Sequence, residues 1–104
     1  MQPTGKAVTI YLDGVNLTED VYREYDVVTL EDQLIWAVAE QELGSYDGNE
    51  FGPDAVALFL DGPDPERLYA GIKPVLEQYP LCRNARVFIR AGSGVREERI
   101  SLTV

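Results

Sequence analysis

Few residues in this chain could do chemistry, because it contains no histidine. Histidine is the commonest general base and a common metal ligand, so its absence removes the usual nucleophilic triad and most transition-metal sites. The one cysteine, Cys82, has only Arg83 beside it as a charge that could activate the thiol. We expect Cys82 to be a small buried apolar residue at the end of a helix. The sequence therefore predicts no catalytic residue, no metal and no cofactor.

Carboxylates are the remaining candidates for chemistry. Asp47, Glu50 and Asp54 lie within eight residues around Gly48. Their spacing does not match the Asp-x-Asp-x-Asp-Gly loop of calcium sites. We expect a turn or bulge around Gly48 instead. The alternative, a small-ligand or metal-binding protein or enzyme that uses these carboxylates, stays open at this point.

Charge is unevenly distributed along the chain, whose formal net charge is −9. Residues 1–66 contain two basic and fifteen acidic residues, a net charge of −13, and residues 67–104 contain seven basic and three acidic residues, a net charge of +4. Such a polarised surface favours a basic protein partner. Net negative charge disfavours binding to nucleic acid, because phosphate contacts need a basic field.

Cellular location follows from what the sequence lacks. No apolar run approaches the ~18 residues needed to cross a bilayer, and the first residues lack the apolar segment of a secretory signal. A single cysteine excludes an internal disulfide bond and favours a reducing compartment. We therefore expect a cytoplasmic protein that has no membrane partner.

The elements that must position these groups form one α+β domain over residues 1–104. The apolar run 55–60, bounded by Gly-Pro-Asp segments, predicts a central strand. Alternation of apolar and polar residues predicts strands at 7–12, 86–90 and 99–104, and 45–51 is an irregular edge strand. One helix is expected to begin at Thr29 and end at Gly44, with Trp36 packed against the sheet edge. A second begins after Asp64, kinks or restarts at Pro74, and ends at Pro80.

The order of these elements is strand, helix, strand, strand, helix, strand, strand. It predicts a two-layer, ferredoxin-like β-α-β-β-α-β sandwich with an appended C-terminal strand. Crossovers through the two helices put strands 1 and 3 side by side in the middle, in the order 5-4-1-3-2, with both helices on one face.

Two motifs resemble those of a known group of proteins. They are Ser45-Tyr-Asp-Gly-Asn-Glu-Phe-Gly52 and, after the apolar strand, Gly62-Pro-Asp-Pro-Glu-Arg-Leu68. Residues 44–90 resemble a family of small bacterial proteins that carry Tyr-Asp-Gly-Asn-Glu-x-Gly before Gly-Pro-Asp. The resemblance implies a ferredoxin-like α+β domain and no particular activity.

The sheet face opposite the helices is the expected interaction surface. Strand alternation places on it three aromatic and two basic side chains: Tyr11, Phe59, Phe88, Arg86 and Arg90. Exposed aromatic residues among arginines are typical of interfaces. We expect a homodimer built on this face or through the edge of the fifth strand.

The sequence as a whole predicts a small, acidic, non-enzymatic interaction module, a regulator or immunity-type inhibitor that binds a protein partner. Its expected contact residues are the aromatic and basic group on the open face together with the three carboxylates around Gly48, namely Tyr11, Phe59, Phe88, Arg86, Arg90, Asp47, Glu50 and Asp54.

Overall fold

Five strands and three α-helices follow one another in the computed structural model, which describes residues 6–103. The elements, with a single 3-10 turn before β4, are β1 (Val8–Asp13), α1 (Glu19–Glu24), α2 (Val27–Glu40), β2 (Ser45–Phe51), β3 (Ala55–Asp61), α3 (Pro65–Gln78), the turn at Pro80–Cys82, β4 (Arg86–Ala91) and β5 (Gly94–Arg99). No helix in this part of the chain is long and apolar enough to cross a membrane.

The strands form one sheet in the order β2-β3-β1-β4-β5, and every neighbouring pair is antiparallel. The predicted α+β class is confirmed, and β1 and β3 are neighbours inside the sheet as expected. One face of the sheet packs on α2 and α3 through a single cluster of apolar side chains. The fully buried members with the largest side chains include Ile10, Leu12, Leu30, Leu34, Leu58, Leu60, Leu68, Ile72, Leu76 and Ile89. α2 and α3 are therefore on the same face of the sheet, and among residues 6–103 neither of them covers the other face.

α2 begins earlier than the sequence predicted. Asp26, not Thr29, is its N-cap, and the Asp26 carboxylate accepts a hydrogen bond from the Thr29 backbone N–H at 2.7 Å. An aspartate three residues before that N–H is well placed to cap the first turn, so Thr29 lies inside the helix. The helix ends at Glu40, and the chain then turns through Glu42 and Gly44, whose φ angles are 53° and 145°.

α3 begins as predicted, with the Asp64 side chain accepting a hydrogen bond from the Arg67 backbone N–H at 3.1 Å. The helix continues through Pro74, so the predicted restart is wrong. Proline removes only one helical donor, the one that would pair with the Ala70 carbonyl. The packed apolar face on both sides of Pro74 keeps the remaining turns together.

The last strand is β5, Gly94–Arg99, and the predicted strand at 99–104 is wrong; its final residue, Val104, lies outside the described residues. A two-residue turn, with Gly92 at a φ of 59°, pairs Ala91 with Gly94 and starts the strand at once. Ile100 follows the strand, and its backbone N–H donates to the Ala85 carbonyl at 2.9 Å. The exposed edge therefore carries mostly charged residues, which discourage pairing with a second sheet.

Candidate functional site

The open face of the sheet contains the aromatic and basic residues that the sequence placed there. In the strand register, Tyr11 of β1 pairs with Ala57 on one side and with Arg86 on the other. Thr9 pairs with Phe59 and Phe88. The five residues Tyr11, Phe59, Phe88, Arg86 and Arg90 are thus on one face.

Tyr11 is nevertheless only 4% exposed, so the expectation that it is one of the exposed aromatic residues of this face is wrong. The Tyr11 and Phe88 rings form an edge-to-face contact, with ring centroids 5.4 Å apart and ring planes at 81°. The Arg86 guanidinium carbon lies 5.8 Å from the Tyr11 ring centroid and 5.7 Å from that of Phe88. Burial raises the pKa of Tyr11, against the opposing charge of Arg86. Phe59 and Phe88 are half-buried, which leaves a smaller apolar surface than expected.

The three carboxylates around Gly48 do not form one site. Asp47 accepts hydrogen bonds from Ser45 Oγ at 2.7 Å and Lys6 Nζ at 3.0 Å, and these contacts lower its pKa. Glu50 pairs with Ala57 and lies on the open face, whereas Asp54 follows the strand in the turn before β3. Among residues 6–103 no group of three or more potential ligands could hold a metal ion.

The bulge predicted around Gly48 is present as a register shift between Tyr46 and Asn49. Gly48 has a φ of 104°, a left-handed region that glycine adopts without strain. Tyr46 and Asn49 on either side both donate hydrogen bonds to the Glu31 carboxylate of α2, Asn49 at 2.7 Å. The bulge is therefore held against the helix layer and is a structural feature of β2.

Cys82 is fully buried in the core, as the sequence predicted. Desolvation raises the pKa of its thiol to about 12, so the thiol stays protonated at neutral pH. A neutral, inaccessible thiol is no nucleophile.

A polar cavity of about 360 Å³ lies at the end of β1. Its lining includes Tyr11 with two arginines, two asparagines and two aspartates: Arg86, Arg99, Asn16, Asn84, Asp13 and Asp54. The Asp13 carboxylate accepts hydrogen bonds from the Val15 and Asn16 backbone N–H groups at 2.9 and 3.0 Å, and these bonds lower its pKa against the effect of burial. The sequence did not predict this cavity, because a strand at 99–104 does not place Arg99 opposite Arg86, where the β4–β5 register has it.

A second, more apolar groove of about 800 Å³ lies between α2 and α3 on their outer side. Trp36 lines it and is 67% exposed, so the expectation that Trp36 packs against the sheet edge is wrong. With Leu34 and Val38 in the core, position 36 lies about 200° away from Leu34 around the helix. That angle was available from the sequence once the start of the helix is placed at Val27.

Two depressions among the described residues are candidate binding surfaces: a polar cavity with two arginines on the open sheet face, and an apolar groove on the helix layer. Comparison with protein-family models, with curated proteins and with solved structures finds no match to this chain.

Proposed function

We propose that the protein is a non-enzymatic interaction module, a regulator or immunity-type inhibitor, that binds a basic amphipathic helix of a partner protein in the groove between α2 and α3. The observation that carries the proposal is the exposure of Trp36, which is 67% accessible beside this groove. An exposed tryptophan next to an apolar depression is typical of interface hot spots.

The groove has the shape and composition that a partner helix needs. Small and apolar residues from both helices line it beside Trp36, namely Ala37, Ala70, Gly71, Pro74 and Val75. Amphipathic helices dock by laying their apolar face into such grooves. Small residues allow the docked backbone to approach closely, and Trp36 supplies a large contact area at one wall.

Charge determines which kind of helix fits. Asp32 and Glu40 line the groove and are exposed, and α2 contains Glu31 as a third carboxylate and no basic residue. Residues 1–66 as a whole have a net charge of −13. A partner helix with lysine or arginine beside its apolar face is attracted by this field and oriented by it. The carboxylates Asp47, Glu50 and Asp54 would then strengthen the long-range attraction rather than contact the partner.

The groove also offers a backbone acceptor. Pro74 has no N–H, so the Ala70 carbonyl lacks the helical donor that an ordinary residue would supply. Both residues line the groove. A lysine or arginine of the partner could donate to this carbonyl, which would add a directional contact to the apolar and long-range ones.

The proposal includes the finer points that the sequence suggested. We propose that the layout is ferredoxin-like with an added edge strand and that the protein is bacterial and cytoplasmic. We also propose that the chain is a relative of the proteins that share its Tyr-Asp-Gly-Asn-Glu-x-Gly segment. Support for the layout comes from the β2–β3 hairpin and from β1 between β3 and β4.

Self-association through the open face is the competing proposal for the partner. Phe59 and Phe88 would form its centre together with the stems of Arg86 and Arg90. Burial of Tyr11 reduces the apolar area available, and stable interfaces bury at least about 1,200 Å² in total. Sedimentation equilibrium at tens of micromolar separates the two proposals, because the groove proposal gives the 11.6 kDa monomer.

The groove is tested with a fluorescein-labelled amphipathic model peptide of leucine and lysine, followed by fluorescence anisotropy. We expect binding that weakens with salt and is lost when glutamate replaces lysine in the peptide. Trp36→Ala should weaken binding about tenfold or more, as hot-spot residues do. Ile35→Ala is the matched control, because Ile35 is 46% exposed on the same helix and does not line the groove.

Two results contradict the proposal. One is equal weakening by Trp36→Ala and Ile35→Ala, which would mean that the peptide binds nonspecifically. The other comes from neutralising the carboxylates in two groups. If Asp47→Asn, Glu50→Gln and Asp54→Asn together reduce affinity more than Asp32→Asn with Glu40→Gln, the interface lies around β2 and not in the groove.

A further inference from the structure

We propose that the cavity at the end of β1 binds the phosphate group of a small hydroxyl-bearing molecule, a sugar phosphate, between Arg86 and Arg99. This site is on the sheet face opposite the helices and is independent of the groove between α2 and α3. The proposal rests on the placement of the two arginines, on what holds them and on the groups beside them.

Arg86 and Arg99 are directly opposite each other in the β4–β5 register, and both line the cavity. Side chains at directly opposed positions lie on the same face and close together, and like charges there are destabilising. Neither guanidinium forms an ion pair with a carboxylate of residues 6–103. A phosphate monoester carries close to two negative charges at neutral pH and would neutralise both arginines at once.

Contrast with Arg96 on the other side of β5 supports this reading. Arg96 donates to Glu66 at 2.6 and 2.7 Å and to Glu98 at 2.7 Å, and these contacts raise its pKa. Arg96 thus has one carboxylate partner on β5 and another on α3. Arg99 has no such partner among the described residues, although the chain is rich in carboxylates.

Arg86 is held in place before any ligand arrives. Its guanidinium lies near the Tyr11 and Phe88 rings, with the distances of 5.8 and 5.7 Å typical of cation–π contacts. Arginine held against an aromatic ring loses less conformational freedom on binding than a free side chain. This arrangement favours recognition of a planar or tetrahedral oxyanion by two N–H groups.

The remaining lining explains why the ligand should carry hydroxyl groups. The Asn16 amide donates to Asp13 at 3.1 Å, which leaves the amide oxygen as an acceptor. Asn84 lines the cavity beside Asp13, and Asp54 is exposed there. These acceptors match hydroxyl donors and would repel a second anionic group. A volume of about 360 Å³ is within the range of small-ligand pockets.

The test follows amide chemical shifts by NMR during titration with ribose 5-phosphate, inorganic phosphate and ribose. We expect ribose 5-phosphate to shift residues around the cavity, inorganic phosphate to bind more weakly at the same place, and ribose not to bind. Arg86→Gln and Arg99→Gln should each weaken ribose 5-phosphate binding about tenfold or more, because each removes charged hydrogen bonds. Arg90→Gln is the matched control, on the same strand and face but outside the cavity.

The melting temperature of each ligand-free variant shows whether a loss of affinity comes from a folding defect. Arg99→Gln relieves the repulsion between the two arginines, so its melting temperature should equal or exceed that of the unchanged protein. An equal loss of affinity in Arg90→Gln, or no loss in Arg99→Gln, overturns the site. Inorganic phosphate binding as tightly as ribose 5-phosphate overturns the assignment of a hydroxyl-bearing ligand.

Discussion

Thr9 carries a buried hydroxyl whose removal should stabilise the protein. Thr9 is in the central strand β1, 1% exposed, and pairs with Phe59 and Phe88 in the register. Its Oγ1 is inaccessible and has no hydrogen-bond partner among the described residues. In the unfolded chain the same hydroxyl is hydrated, so folding removes hydrogen bonds to water without replacing them.

Thr9→Val replaces the hydroxyl with a methyl group of nearly the same size and keeps the β-branched shape that suits a strand. An unsatisfied buried hydroxyl costs about 1–3 kcal/mol. We therefore expect the free energy of unfolding to rise by about 1 kcal/mol or more. For a domain of this size, that corresponds to an increase of roughly 4–8 °C in melting temperature.

Urea unfolding followed by far-ultraviolet circular dichroism measures the change, with an unchanged dependence of free energy on urea as evidence that both variants unfold alike. Thr18→Val is the matched control, for which the free energy of unfolding should fall instead of rise. The Thr18 hydroxyl caps α1 by accepting from the Val21 N–H, and loss of such a cap costs about 1 kcal/mol. If Thr9→Val lowers the stability, the Thr9 hydroxyl has a hydrogen-bond partner and the reasoning is refuted.

Two further predictions concern backbone space and pH. Gly62→Ala should lower the free energy of unfolding by about 2 kcal/mol or more, because an added Cβ would overlap the Leu43 carbonyl oxygen. Gly94→Ala is the control: it has open space and no positive φ, so it should change the free energy of unfolding by less than about 0.5 kcal/mol. Urea unfolding measures both changes. Hydrogen bonds lower the folded-state pKa of Asp13 and Asp26, so their stabilisation is complete above the unfolded-state pKa of about 3.9 and is lost as the pH falls further. The melting temperature of the unchanged protein should therefore fall when the pH is lowered below about 4. The melting temperature of the Asp26→Asn variant should fall less, because asparagine caps the helix without titrating; an equal fall would refute the role of Asp26.

The central strands could be predicted from the sequence because their patterns are local. Alternation over residues 7–12 and the apolar run 55–60 each depend on which side of one strand faces the core. The cap at Asp64 and the bulge at Gly48 are likewise set by a few neighbouring residues. The sheet, the helix layer and the buried cysteine follow from such local signals.

The sites depended on contacts between distant residues. The last strand was misplaced because residues 99–104 alternate well, whereas the tight turn at Gly92 starts the pairing five residues earlier. The same error hid the opposition of Arg86 and Arg99. Tyr11 was expected at the surface because strand alternation predicts the side of the sheet on which a residue lies but not how closely its neighbours, here Arg86 and Phe88, pack against it.

Burial of the only thiol makes the protein a reporter of its own opening. Cys82 is fully inaccessible, and a thiol with a pKa of about 12 reacts only in a conformation that exposes it to solvent. The labelling rate by a thiol reagent is then the intrinsic rate multiplied by the population of the open form, provided that reclosing is faster than labelling. Because Cys82 lies in the core where α3 leads into β4, we expect that rate to follow the separation of the helix layer from the sheet, and no probe has to be introduced to measure it.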